Sequence, residues 1–170
     1  MILNYSKIIG SKIVTFEDGI ILGEVADIVL VPDTMEIAAI VLKNQINIFT
    51  KTKIILNVDI IGIDKDVVAI KDEESITSLK DAPKVKEWIK MGFSGLKQKV
   101  ITRSKSLVGI VYDYTVNCDT FVINTFLTNN LFIEKVVAIN SVVEYKKKLI
   151  IVKDEFEHIR VTPAFSEIGS

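Results

Sequence analysis

Short apolar runs alternate with clusters of turn residues along the whole chain. In the first half the runs are IVTF (13–16), GEVADIVLV (23–31), EIAAIVL (36–42), INIF (46–49), IILNVDIIGI (54–63) and VVAIK (67–71). Between them stand Glu17-Asp18-Gly19, Pro32-Asp33-Thr34, a Thr/Lys turn at 50–53 and Asp64-Lys65-Asp66, all turn chemistry. The second half repeats the plan with KVIT (99–102), LVGIVYDYTV (107–116), FVINTFLT (121–128), LFIEKVVAI (131–139), VVEY (142–145) and LIIVK (149–153). Its turns are Asn117–Thr120, Asn129-Asn130 and Lys146-Lys147-Lys148. Five or six short strands in each half are the density of a small closed barrel, which would leave no apolar edge exposed. Only one segment, SLKDAPKVKEWIKMGF (78–93), has helical spacing. There Ser78 or Asp81 can cap, Pro83 suits the first turn, Gly92 can end the helix, and Ala82, Val85, Trp88 and Ile89 make one stripe that predicts docking on a barrel.

The halves are related. A shift of 86 residues lays 12–41 over 98–127 without a gap and matches Val14/Val100, Gly23/Gly109, Val25/Val111, Asp27/Asp113, Asp33/Asp119, Thr34/Thr120 and Ile37/Ile123. So long a period is that of a small domain, not of a solenoid repeat. The expected fold class is mainly β: two tandem small β-barrels joined by one α-helix. The expected boundaries are a first barrel at 1–75, a linker helix at 76–96, a second barrel at 97–155 and a tail at 156–170.

Composition agrees, since Ile and Val supply 48 of 170 residues and Ala only 7. Net charge is −1, and of 21 basic residues only Arg103 and Arg160 are arginines, which argues against a nucleic-acid clamp. A single cysteine, Cys118, and a single histidine, His158, cannot build a Cys/His zinc site or a disulfide framework. The lone thiol, together with an N-terminus lacking a signal pattern and apolar runs too short for a membrane span, implies a cytoplasmic protein.

The repeated pattern of G-x-V-x-D (Gly23, Val25, Asp27; Gly109, Val111, Asp113), an Asp-containing turn, a second apolar strand and D-I-I-G-I (59–63) resembles the PRC-barrel family. That family is a small β-barrel found in the H subunit of purple-bacterial photosynthetic reaction centres, in a ribosome maturation factor and in stand-alone prokaryotic proteins. The resemblance spans about residues 8–74 and 97–154, and its motifs define a fold, not a chemistry. Neither the membrane helix of the reaction-centre subunit nor the additional barrel of the ribosome factor is evident, so neither specialised role is expected. What the resemblance implies is a prokaryotic, non-enzymatic binding or scaffold protein with no catalytic residues and no cofactor.

The residues themselves point the same way. Gly23 and Gly109 stand where a strand bulges or closely approaches its neighbour, and no helix follows to make a phosphate loop. Asp27 and Asp113, unusual in strands, are expected to accept turn or bulge amides. Trp88 is expected at the helix–barrel interface. Cys118 has no basic neighbour to activate it, and no metal-ligand spacing or Ser/His/Asp order exists. The candidate partner-binding residues are Lys146, Lys147 and Lys148, because the matching hairpin of the first half, Asp64-Lys65-Asp66, carries −1 where these carry +3. Nine of thirteen aromatics also follow residue 92. The expected partner is a macromolecule, a protein first. The alternative is an RNA- or ribosome-associated factor, against which the charge split counts, −3 up to residue 92 and +2 after it.

Overall fold

The computed structural model describes residues 1–43 and 52–156, together with the backbone of 158–161. The INIF run and the tail beyond Val161 lie outside the described residues. The chain begins with β1 (Ile2–Asn4) and a single helical turn, α1 (Tyr5–Ile8). There follow β2 (Lys12–Thr15), β3 (Ile21–Leu30), β4 (Ile37–Leu42), β5 (Lys53–Leu56), β6 (Ile60–Asp64), β7 (Val67–Ile70) and β8 (Ile76–Ser78). After α2 (Pro83–Met91) come β9 (Lys99–Thr102), β10 (Leu107–Asn117), β11 (Val122–Asn130), β12 (Ile133–Ala138), β13 (Val142–Lys146), β14 (Leu149–Val152) and β15 (His158–Val161).

These strands form two sheets. The first runs β6-β7-β2-β3-β4-β5-β8, and the second runs β13-β14-β9-β10-β11-β12-β15 with β1 added to β10. The strand order of one sheet repeats that of the other, including the parallel pairs β2/β7 and β9/β14 among otherwise antiparallel ladders. Closed barrels were expected, and the sheets correct this: among the described residues each is an open path whose end strands, β6 and β8 or β13 and β15, are joined by no ladder. The edges are handled by curling instead. Residues 21–24 of β3 pair with β2 and residues 25–30 with β4, and a bulge between Val25 and Asp27 bends the strand where the partners change. β10 does the same, with its bulge between Val111 and Asp113. The curl brings Ile13, Val68 and Ile70 from one arm against Ile40 and Ile55 from the other.

The pairings also correct the ungapped comparison. Ile13 lies opposite Gly23 and Val100 opposite Gly109, so Ile13, not Val14, matches Val100. The β9–β10 turn is one residue shorter than the β2–β3 turn, and an 86-residue shift holds only after it. The Asn129-Asn130 turn is displaced as well: both asparagines belong to β11, and Leu131-Phe132 make the turn.

Besides the β1–β10 ladder, an antiparallel bridge between Glu36 and Val122 joins the two halves. Ile37 N–H donates to Phe121 O (2.8 Å) and Ile123 N–H to Met35 O (3.0 Å). Glu36 and Val122 occupy matching positions, and Met35 (φ 57°) and Phe121 (φ 56°) share a left-handed backbone. Exchanging the halves therefore reproduces the same contact, a local twofold relation. Around it one apolar cluster runs through both halves, from Ile8, Met35 and Ile37 to Tyr114, Val116 and Phe126.

Helix α2 starts at Pro83, whose missing N–H costs nothing there, and ends on Gly92 at φ 70°. Neither Ser78 nor Asp81 caps it; Ala82 holds that position and makes no side-chain bond. Ala82 and Val85 pack on Val29, Ala39 and Ile54, with Trp88 half-buried beside them. Ile89, expected to be buried, is 41% exposed, because contact with the sheet is made by the first turn and the last turn overhangs it.

Candidate functional site

The basic hairpin is built by the β13–β14 turn. Lys146 pairs with Leu149 across it, and Lys148 takes φ 62°, while in the first half Asp66 takes φ 64° at the matching place. The backbone does the same work in both: Lys99 N–H donates to Lys148 O (3.2 Å) and Lys12 N–H to Asp66 O (3.0 Å). Lys146, Lys147 and Lys148 are all exposed, and Lys146 Nζ reaches Glu144 at 3.3 Å. The parallel β9/β14 pair brings two more exposed lysines to this end, Lys97 and Lys99, which the sequence reading missed. Lys97 sits at φ 57°, where the first half has Gly10 at φ 84°. Each donates its N–H at 2.8 Å to the β10 or β3 carbonyl of Val111 or Val25. Correcting the repeat by one residue in the sequence would have exposed this lysine-for-glycine exchange. Five lysines against Glu144 thus share one end, where the matching set of the first half, Lys12, Asp64, Lys65 and Asp66, is neutral.

Asp27 and Asp113 follow their bulges, and each accepts the N–H of the next residue on Oδ1, from Ile28 and Tyr114, at 2.8 Å. Their remaining bonds go to the N-terminal segment. Tyr5 Oη donates to Asp27 (2.8 Å), and Asp113, buried, receives Ser6 Oγ (2.6 Å), Ser6 N–H (3.2 Å) and Asn4 Nδ2 (3.0 Å). Both carboxylates strap residues 4–6 across the two halves. Burial, reinforced by Asp27, pushes the Tyr5 hydroxyl well above its usual range. The rings of Tyr5 and Tyr114 lie 4.8 Å apart, and the buried Tyr114 hydroxyl has no hydrogen-bond partner among the described residues.

The two glycines differ in what they permit. A Cβ on Gly23 would meet Leu42 at an ordinary 3.6 Å, whereas one on Gly109 would sit 2.9 Å from the carbonyl oxygen of Asn129. Trp88, under Lys84 Nζ at 5.6 Å, walls a groove of about 390 Å³ between α2 and the first sheet, with Val31, Leu56 and Val85. A second cleft of about 640 Å³ opens between the halves beside Phe16, Ile61 and Phe121. Cys118, buried at its edge, has its thiol pushed up by burial and so is poorly suited to attack. No group of three or more metal-ligating side chains occurs among the described residues. None of the described helices is long and apolar enough to cross a membrane.

No family model matches this sequence, and no curated protein does.

Proposed function

We propose that the protein is a non-enzymatic binding or scaffold module, two curled sheets of PRC-barrel type linked by α2, that docks a protein partner on the basic end of the second half. The observation that carries this reading is a contrast at one backbone position. Asp66 and Lys148 have matching φ and accept matching backbone hydrogen bonds, yet between Asp64-Lys65-Asp66 and Lys146-Lys147-Lys148 the side chains differ, two acids and a lysine against three lysines. Folding needs the backbone geometry, and it does not need that charge. With Lys97 and Lys99 alongside, the end is suited to an acidic partner surface, where such groups act chiefly through encounter rate and salt dependence.

Replacing Lys146, Lys147 and Lys148 together by Glu tests it. Cross-linking and co-purification from native lysate should recover a protein partner with the wild type, and association of that partner measured at low salt should slow by at least about tenfold in the variant. Circular dichroism should stay unchanged. Association that survives the triple change but is lost on mutating Asp64–Asp66 would move the binding face to the first half. Capture abolished by nuclease, with a steep salt dependence, would favour an RNA partner instead.

A further inference from the structure

The β11–β12 turn carries the most exposed apolar side chains described in the molecule. Leu131 is 85% and Phe132 91% exposed, and Ile133 behind them is 54% exposed. Solvent would select other residues here, and so would the backbone. Leu131 takes φ 56° at the first position of a two-residue hairpin, where Gly is favoured. On the neighbouring strand β10, Ile110 (44% exposed) and Tyr112 (50% exposed) are also open to solvent, Ile110 on the face of Asn129 and Glu134. Three consecutive exposed apolar residues at a hairpin tip, unlike a lone exposed leucine, call for an occupant.

The first half serves as an internal control. Where β10 has Ile110 and Tyr112, β3 has Glu24 and Ala26. Glu24 is ion-paired with Lys12 and with Lys43, which stands at the position of Asn129. The fold therefore accepts a charged surface at this place. The neighbouring charges have changed too. The β9–β10 turn and the segment after β14, joined by Ser104 N–H to Asp154 at 2.9 Å, hold Arg103, Lys105 and Lys153 against Asp154 and Glu155, a balance of +1. The equivalent residues in the first half hold Lys71 against Glu17, Asp18, Asp72, Glu73 and Glu74, a balance of −4. Next to the tip on β12, Glu134 and Lys135 cancel.

We propose that the Leu131-Phe132 tip is a membrane-contact element that enters the interface of an anionic lipid bilayer, with Ile133 following and Arg103, Lys105 and Lys153 at headgroup level. The tip is a protrusion, so its occupant must yield around it, as lipid does and as a protein does only with a matching pocket. The loss of acidic charge at this end relative to the first half selects an anionic surface, toward which basic side chains add attraction. This is a peripheral contact, and it is independent of the basic hairpin at the opposite end of β9.

Sedimentation with vesicles of phosphatidylcholine and phosphatidylserine decides it, using the full chain. The variant Leu131→Gly/Phe132→Asn puts glycine at the left-handed position and a polar residue after it, so it keeps the hairpin while removing the apolar tip. Wild type should partition onto the mixed vesicles at least about tenfold better than the variant. It should bind phosphatidylcholine alone more weakly, and Arg103→Glu/Lys105→Glu should remove that difference. A Phe132→Trp protein should show quenching by brominated lipid that the same chain without vesicles lacks. No partition of wild type, or equal partition of wild type and the Gly-Asn variant, would overturn the proposal. So would loss of a protein partner in that variant without any vesicle binding, which would assign the tip to a protein pocket.

Discussion

Gly23 and Gly109 occupy the same step of the same strand and are not equivalent. The β10–β11 ladder brings the Asn129 carbonyl so close to Gly109 that an added Cβ at 2.9 Å must displace backbone, whereas Gly23 faces only the mobile end of Leu42 at 3.6 Å. Gly109→Ala is therefore expected to destabilise by about 1–3 kcal/mol, the range for forcing extra volume into a packed site. Gly23→Ala should stay within about 0.5 kcal/mol, helped by the reduced freedom of the unfolded chain. Urea denaturation of the two variants checks this, and equal effects would contradict it. Nothing in the sequence separated the two positions, because both read as G-x-V-x-D. The distinction depends on a partner strand some twenty residues away. Asp27 and Asp113 are a similar pair: their place after a bulge was legible from a carboxylate recurring in a strand, but the donors of residues 4–6 that bind them come from a segment with no pattern of its own.

Helix α2 shows what an element owes to its own sequence and what to its setting. Its position, its proline start and its glycine stop were legible, because each rests on backbone chemistry local to the segment. Which of its apolar residues are buried was not, since that depends on how far the sheet extends beneath the helix. Val85 is 5% exposed and Ile89 41% exposed although both lie on one stripe. Trp88 is half-buried, so Trp88→Ala should cost about 1.5–2.5 kcal/mol, roughly half the loss of a fully buried aromatic. Ile89→Ala should fall within about 0.5 kcal/mol, as for surface positions. Thermal or urea unfolding of both variants would show the order reversed if the last turn, not the first, were the docked one. The β11–β12 hairpin was misplaced for the opposite reason. Asn129-Asn130 has strong turn propensity, but Asn129 and Asn130 pair with Glu134 and Ile133 in the ladder, and the turn falls on two apolar residues. Pairing register outweighed propensity there.

At the scale of the whole molecule, the period of the repeat predicts two tandem units, and the packing joins them. The apolar cluster crosses from one half to the other without interruption, and Tyr114, fully buried in it, takes the place that Ile28 has in the first half. The Glu36/Val122 bridge adds two reciprocal backbone bonds, and β1, from the start of the chain, pairs with the C-terminal end of β10 in the middle of the second sheet. Separating the halves would open Ile37, Met35, Tyr114 and Val116 to water at once, and units of some 65–75 residues have little stability to spare for that loss. The whole described chain is thus expected to unfold in one cooperative transition, with calorimetric and van't Hoff enthalpies in a ratio of about one. Removing residues 1–6 takes away Tyr5, Ser6 and β1 and leaves the Asp113 carboxylate buried without three of its donors; this should lower that single transition without splitting it. Two resolved transitions in the full chain, or residues 97–156 folding alone with an unchanged melting temperature, would show that the halves are independent domains and that the shared core adds nothing to their stability.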